Sequence, residues 1–179
     1  MQKKFIQVLW LFLGMGFVLG VVYENVIYIR NQNVVSFFRR ESLEQVIQKE
    51  IISGEYFLYV VQMRLRMIVP CCMIGLVKWK KIFINLFLLW NGFLFGIFLV
   101  DAIMIQRIVG IVLCLVMLFP HMIFYVLGAY LVLWNFYIHP EQRWNMQKVV
   151  VCILLFLIGI LAETYVNPWL IKGILKWLQ

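Results

Sequence analysis

Long apolar runs separated by short polar breaks make up most of this chain. The runs cover residues 5–23, 56–77, 82–104, 108–138 and 149–169. An α-helix needs about 20 predominantly apolar residues to cross the roughly 30 Å hydrocarbon layer of a bilayer, and each run approaches or exceeds that length. The pattern predicts an all-α, polytopic integral membrane helix bundle with about five transmembrane helices.

The fourth run is too long for one untilted crossing, since 108–138 would extend roughly 46 Å as a continuous helix. Pro120, near its middle, lacks a backbone donor and its ring clashes with the preceding turn, which predicts a kink or a discontinuous helix. The count rises to about six spans if this segment turns back as two half-helices. In the last run, Asn167-Pro168 predicts the end of the span, followed by a basic amphipathic tail at 170–179.

One longer polar region, at about 29–55, interrupts the apolar pattern. Within it Ser42 and Gln45 form a capping-box pattern ahead of apolar positions at helical spacing, which predicts a short amphipathic helix over 42–52. This helix either lies on the headgroup layer or packs on the loop ends of the bundle. The whole chain, 1–179, is predicted to be a single integral membrane domain with this polar segment outside the membrane.

Composition favours a membrane protein over a nucleic-acid binder. Hydrophobic residues make up 65% of the chain and charged residues 13%, far from an ordinary soluble domain. The net charge of +8 comes from lysines and arginines in twos and threes beside the apolar runs, as the flanking anchors of spans do. The two membrane faces carry equal numbers of lysines and arginines, so the totals do not decide the orientation. The short 78–81 turn holds three lysines and the turn around Arg107 one basic residue, which favours a cytoplasmic N-terminus.

The first run is expected to stay in place as a membrane anchor. It is longer than the apolar core of a signal peptide, and no A-x-A-like cleavage site follows it.

Span direction predicts an ion pair inside the membrane. The first, third and fifth runs cross in one direction, and each carries one acid late in its course or directly after it: Glu24, Asp101 and Glu163. The second run crosses the other way and places Arg64 and Arg66 early, in the same leaflet. A lone ionised residue at the centre of a span costs about 2.5–3.5 kcal/mol, so one of the arginines is predicted to pair with at least one of the acids. The alternatives are acids solvated at the membrane interface, or an ion or proton relay.

Two further features concern contacts between helices. Gly92 and Gly96 have the small-xxx-small spacing that lets two helix backbones approach closely, which predicts a packing face. His121 follows Pro120, and its imidazole N–H is expected to satisfy a carbonyl released by the helix break, with a ligand or catalytic role as the alternative.

Motifs that carry enzyme chemistry are absent from the sequence. There is no HExxH, G-x-S-x-G, Walker A or GxGxxG pattern, and the four cysteines lie in apolar stretches without metal-ligand spacing. No catalytic, cofactor-binding or metal residue is predicted, and the chain is expected not to be an enzyme.

Four local patterns follow one another along the chain. They are Arg64 to Arg66 ahead of an apolar run, Asn91-Gly92 with Gly96, Pro120-His121, and Ala162-Glu163 with Tyr165 and Asn167-Pro168. In this order they resemble the stage II sporulation protein M family of endospore-forming bacteria, and the similarity covers most of the chain. Where that family commonly reads Pro-His-Gly and then Ile-Phe-Glu, this chain has Met122 and Tyr125 in place of the glycine and the acid.

The resemblance implies a polytopic protein of the cell membrane without enzymatic activity of its own. Such a protein anchors the peptidoglycan-degrading stage II sporulation proteins D and P at the septum while the mother-cell membrane engulfs the forespore. Its implied partners are the lipid bilayer, those hydrolases and further copies of itself, with no nucleic acid and no cofactor. Glu163 and His121 are the positions that match the family's motifs.

Two other functions stay open at this stage. A permease-like transporter subunit is supported by the interrupted fourth run and the intramembrane charges, and a cavity lined by His121, Asp101 and Glu163 would favour it. An intramembrane enzyme is disfavoured by the missing nucleophile and metal motifs.

Overall fold

The computed structural model describes residues 2–30, 54–138 and 145–177, and these are helical, without strands. The elements are α1 (Gln2–Arg30), α2 (Gly54–Met73) with a 3₁₀ turn (Ile74–Leu76), α3 (Lys80–Ile138), α4 (Met146–Leu161), a π-helical turn (Ala162–Val166) and α5 (Asn167–Trp177). The all-α prediction is confirmed. Residues 31–53, including the predicted helix at 42–52, lie outside the described residues.

Three of the described helical stretches are long and apolar enough to cross a membrane: Lys3–Ile27, Lys80–Tyr137 and Met146–Gly173. Their exteriors carry large apolar side chains, among them Trp10 at 71% and Ile108 at 79% exposure. Water would hydrate such surfaces at a high free-energy cost, whereas lipid acyl chains solvate them well. These stretches indicate an integral membrane protein. The count of about five crossings stays a prediction.

The 59-residue helix α3 contains a reversal at Arg107. The backbone there is non-helical, with φ 53° and ψ −128°, and a positive φ is costly for a residue that has a Cβ. Gly110 and Ala102 are eight residues apart, and a continuous helix would separate them by about 12 Å. In this structure, however, a Cβ added at Gly110 would overlap the carbonyl oxygen of Ala102. The chain therefore folds back at Arg107, which confirms the predicted turn between the third and fourth apolar runs.

The discontinuous helix expected at Pro120 is wrong, because α3 stays helical on both sides of this proline, and the alternative of a kink stays a prediction. The Asn167 side chain donates to the Met117 carbonyl oxygen at 2.6 Å, three residues before the proline. The segment does not turn back as two half-helices within the described backbone.

The helix continues through Asn167-Pro168 to Trp177, and the end of the last span predicted at Asn167-Pro168 stays a prediction. The π-helical turn explains how the helix continues. The Asn167 backbone N–H bonds to the Ala162 carbonyl, five residues back, and this wider turn leaves room for Pro168, which has no N–H to contribute.

The chain divides into two compact units. Unit 1 is Met1–Lys49 with Asn85–Leu115, and unit 2 is Glu50–Ile84 with Val116–Gln179. The prediction of a single integral domain stays a prediction.

In unit 1, α1 packs against the first part of α3 through glycines on both helices. The contacts are Gly16 with Leu89, Gly20 with Phe93, Gly92 with Leu13 and Gly96 with Phe17. Residue numbers rise together along the two helices, so they run in the same direction. A Cβ at any of these glycines would overlap a backbone carbonyl oxygen or lie against it. The packing face predicted for Gly92 and Gly96 is confirmed.

In unit 2, α2 runs parallel to the end of α3, and α4 runs antiparallel to both. The contacts are Arg64 with Tyr125 and Gly75 with Phe136 for the parallel pair, and Lys148 with Asn135, Gly159 with Tyr125 and Asn167 with Met117 for the antiparallel pair. The apolar core of this unit includes Val60, Cys71, Val132, Leu133, Cys152 and Ile160. Buried polar side chains also lie in this unit, at His121, Asn135, Thr164 and Asn167.

Candidate functional site

A cluster of polar side chains lies among the apolar helices of unit 2, and we call it the polar cluster. Its members are Arg64 of α2, His121 and Tyr125 of α3, Glu163 of the π-helical turn and Asn167 of α5. The described residues place them at the level where α2, α3 and the π-helical turn meet.

The ion pair predicted from span direction forms between Arg64 and Glu163. The Arg64 Nε donates to Glu163 Oε2 at 2.6 Å, and its Nη2 donates to Oε1. This bidentate arrangement matches the planar guanidinium to the planar carboxylate, the strongest geometry for such a pair. Only 22% of the Arg64 side chain and 16% of the Glu163 side chain are exposed, so the charges neutralise each other away from water.

Tyr125 contacts both members of the ion pair. Its hydroxyl donates to Glu163 Oε2 at 2.8 Å, and the Arg64 guanidinium carbon lies 5.0 Å from the centroid of its ring. The ring face attracts the cation while the hydroxyl completes the hydrogen bonding of the anion. Tyr125 therefore joins α3 to the pair formed by α2 and the π-helical turn.

Asn167 makes the second set of polar contacts in the cluster. Its Nδ2 donates to the Met117 carbonyl oxygen at 2.6 Å and lies 2.8 Å from Nδ1 of His121. His121 is 3% exposed, and because its Nδ1 accepts from the amide, the proton of the neutral ring sits on Nε2. Asn167 thus donates to the carbonyl three residues before Pro120, and the expectation that the His121 imidazole N–H satisfies a released carbonyl stays a prediction.

Glu163 and Asn167 lie on one side of the helix, because residues four apart share a face. Both belong to the π-helical turn or its end. Thr164 stabilises this turn through a bond from its Oγ1 to the Ile160 carbonyl oxygen at 2.8 Å. The helix therefore presents two polar side chains to α3 at once.

Sequence reasoning did not single out Tyr125 and Asn167 as members of the site. Each lies four residues after a predicted member, Tyr125 after His121 and Asn167 after Glu163. Two i, i+4 polar pairs within otherwise apolar helices form one face on each helix, and this spacing is the signal that would have found them.

The other predicted residues lie outside the polar cluster. Arg66 is exposed on α2, and Pro120 is partly buried within α3. Gly92 and Gly96 belong to the packing face of unit 1. In that unit Glu24 is 7% exposed and Asp101 is partly buried.

Replacing Asn167 with alanine is expected to lower the free energy of unfolding by about 1–3 kcal/mol, because the Met117 carbonyl and His121 Nδ1 would both lose their donor in a buried site. The measurement is reversible unfolding of the purified protein in mixed micelles, followed by circular dichroism. Asn25→Ala is the matched control, since Asn25 bonds only to the Val21 carbonyl of its own helix. Equal losses in the two variants would contradict a special role for Asn167.

Among the described residues, no group of three or more histidine, cysteine or acidic side chains is placed to hold a metal ion. No protein-family model, curated protein or solved structure matches the chain.

Proposed function

We propose that this protein is a non-enzymatic membrane scaffold of about five crossings. The helix directions within each unit support the count. Since α1 and the first part of α3 run in the same direction, the chain has to recross the membrane between them, and α2 lies in that interval. The reversal at Arg107 adds a fourth crossing, and the antiparallel packing of α4 on the end of α3 adds a fifth.

Helix α2 is the crossing that hydropathy alone does not mark. Its 20 residues extend about 30 Å, which equals the thickness of the hydrocarbon layer. Arg64 and Arg66 lower its hydropathy. The Glu163 carboxylate neutralises Arg64, which removes much of the cost of placing that arginine at depth.

The proposed role is the one that the resemblance to the stage II sporulation protein M family implies: anchoring peptidoglycan hydrolases at the septum during engulfment. The observation that supports a scaffold is that the polar cluster bonds to itself. Glu163 accepts from Arg64 and Tyr125, and His121 accepts from Asn167. These bonds tie three helices of unit 2 together and suit a rigid platform for partners.

The departure of this chain from the family pattern fits the same role. Tyr125 stands where the family commonly has a glutamate, and here its hydroxyl donates to Glu163. A second ionised carboxylate at this position would repel Glu163, so the tyrosine keeps the cluster neutral and closed.

The scaffold function predicts that the tagged protein recovers wall hydrolases from detergent-solubilised membranes of sporulating cells. Recovery from vegetative cells should be lower, because the sporulation hydrolases are then absent. Quantitative mass spectrometry measures both, with an unrelated polytopic membrane protein carrying the same tag as the control. If no wall hydrolase exceeds this control in sporulating cells, the proposed function is wrong.

A permease-like transporter subunit is the second candidate. It is favoured by the Asn167 Oδ1 atom, a buried acceptor without a hydrogen-bond partner beside His121. Polar groups of this kind at membrane depth line substrate pathways in transporters. Co-purification with an ATP-binding subunit in place of wall hydrolases would favour this candidate.

A further inference from the structure

Gln62 and Arg66 form an exposed polar pair on α2. They lie four residues apart and therefore share one face of the helix, and both side chains are exposed. Within the described part of the chain, neither side chain has a hydrogen-bond or ion-pair partner. The pair differs in this respect from Arg64 on the same helix, which bonds to Glu163.

Arg66 lies at the centre of the second apolar run, 56–77, ten residues after its first residue and eleven before its last. In the five-crossing arrangement proposed above, on which this inference rests, that position is the middle of the bilayer. An arginine near the end of a crossing extends its guanidinium to the headgroups. From the centre of the run the distance along the helix is about 15 Å to either end, more than one side chain spans.

Lipid acyl chains would solvate the face around Arg66 poorly. They supply no acceptor for the N–H groups of a guanidinium or for the Gln62 amide, and an unpaired charge at this depth is costly. Ionisable residues within membrane spans almost always face a partner or a water-filled cavity. Contact with another protein therefore explains this exposed face better than contact with lipid.

The side chains around the polar pair have the arrangement that a second helix needs. Tyr59, Met63, Val69 and Met73 lie on the face of Arg66, and each is about half exposed, from 49% to 57%. The successive spacings along this face are four, three, three and four residues, as in the seam along which two helices pack. Methionine is flexible and adapts its shape to a partner surface.

A second copy of this chain does not offer the matching charge. The three acids predicted at membrane depth, Glu24, Asp101 and Glu163, are buried or partly buried. The other acids of the chain lie outside the apolar runs. Contact between two α2 helices through this face would also bring two Arg66 side chains together, and like charges repel. The acid that pairs with Arg66 therefore comes from a different protein.

We propose that one face of α2 docks a transmembrane helix of another protein. This α2 docking face consists of Tyr59, Gln62, Met63, Arg66, Val69 and Met73. The docked helix carries an aspartate or glutamate near its middle, and its carboxylate accepts from the Arg66 guanidinium and the Gln62 amide. In the proposed scaffold, this helix belongs to a partner that the protein anchors.

The test uses the full chain reconstituted in phosphatidylcholine vesicles, with synthetic leucine peptides of about 20 residues as probes. The central residue of the peptide is glutamate, glutamine or leucine, and energy transfer between labelled protein and labelled peptide measures association. The wild type should bind the glutamate peptide about tenfold more tightly than the leucine peptide. Because the acid is central, the result does not depend on the direction in which the peptide inserts.

The variant R66L should lose the preference for the glutamate peptide. R66K should keep part of it, because lysine retains the charge but not the planar fork of the guanidinium. Q62L should reduce it by less than R66L does. R107Q is the matched control, since Arg107 is also exposed but lies at the reversal in α3, and it should bind as the wild type does.

Four results would overturn the α2 docking face. They are equal binding of the glutamate and leucine peptides by the wild type, an unchanged preference in R66L, an equal loss in R107Q, and equal binding of the glutamine and glutamate peptides. Energy transfer between two differently labelled copies of the wild type that R66L abolishes would assign the face to self-association and would also overturn the proposal.

A labelling experiment tests separately whether α2 crosses the membrane. In the same vesicles, a water-soluble maleimide should label the variant M63C no more than the wild type, whose exposed Cys72 gives the background. Stronger labelling of M63C would contradict the crossing and with it the proposed architecture. If position 63 is shielded but the peptide preference is absent, only the docking face is wrong. Recovery of wall hydrolases does not involve the peptides and tests the scaffold function independently.

Discussion

Replacing Glu163 with glutamine is expected to lower the free energy of unfolding by up to about 3–5 kcal/mol, the cost of leaving one member of a fully buried ion pair without its partner. The pair here is partly buried, with 22% of the Arg64 and 16% of the Glu163 side chain exposed. Glutamine keeps the size of the side chain and still accepts one hydrogen bond, so packing changes little. The Arg64 guanidinium would keep its charge with no counterion among apolar helices. Reversible unfolding in mixed micelles measures the loss, and the far-ultraviolet spectrum checks that the variant is still helical.

The double variant R64L/E163L separates the cost of leaving one charge unpaired from the contribution of the ion pair itself. Removing both charges is expected to recover most of the stability lost in Glu163→Gln, because an apolar pair of similar volume has no charge to desolvate. Arg66→Leu is the matched control on the same helix, since Arg66 is exposed and lies outside the polar cluster, and it should change stability little. A loss in Glu163→Gln no larger than in Arg66→Leu would contradict the importance of the pair.

The ion pair is the part of the site that sequence could predict, and the reason is the membrane itself. Alternating span directions decide which polar residues share a leaflet, and the cost of a lone charge in lipid requires a partner there. Arg64 and Glu163 are 99 positions apart, yet they meet as this reasoning predicts. The Gly92 and Gly96 packing face was also predictable, since small residues at this spacing within a span let a second helix backbone approach closely.

The backbone irregularities could not be predicted with the same success. Pro120 predicted a kink or a discontinuous helix and Asn167-Pro168 the end of a span, because proline lacks an N–H, yet the helix continues through both prolines. Asn167 supplies a donor near Pro120 from a different helix, and the π-helical turn before Pro168 widens the helix there. A π turn is a single inserted residue without a compositional signal, so the continuation of the helix past Pro168 appears only in three dimensions.

Replacing Gly16 with alanine is expected to destabilise unit 1 by about 1–3 kcal/mol, the usual cost of overpacking a close contact. The added Cβ would overlap the Leu89 carbonyl oxygen, and this is backbone that no side-chain rotation can move aside. The helices would have to separate along their shared glycine face. Gly14→Ala is the matched control two residues earlier on α1, because a Cβ at Gly14 meets no atom within 4 Å. That variant should be neutral or stabilising by up to about 1 kcal/mol, since alanine favours the helix more than glycine does.

The double variant G16A/G92A tests whether the glycine contacts between α1 and α3 are coupled, so that α1 and α3 separate as a whole. Gly92 meets the Leu13 carbonyl from the opposite helix, so either added methyl group pushes the same two backbones apart. Once the first substitution has separated them, the second finds its space already open, and the double variant should cost less than the sum of the two single ones. Unfolding in mixed micelles measures all three. Strictly additive losses in the free energy of unfolding would mean that the backbone adjusts separately at each glycine. The two helices would then not pack as one continuous face.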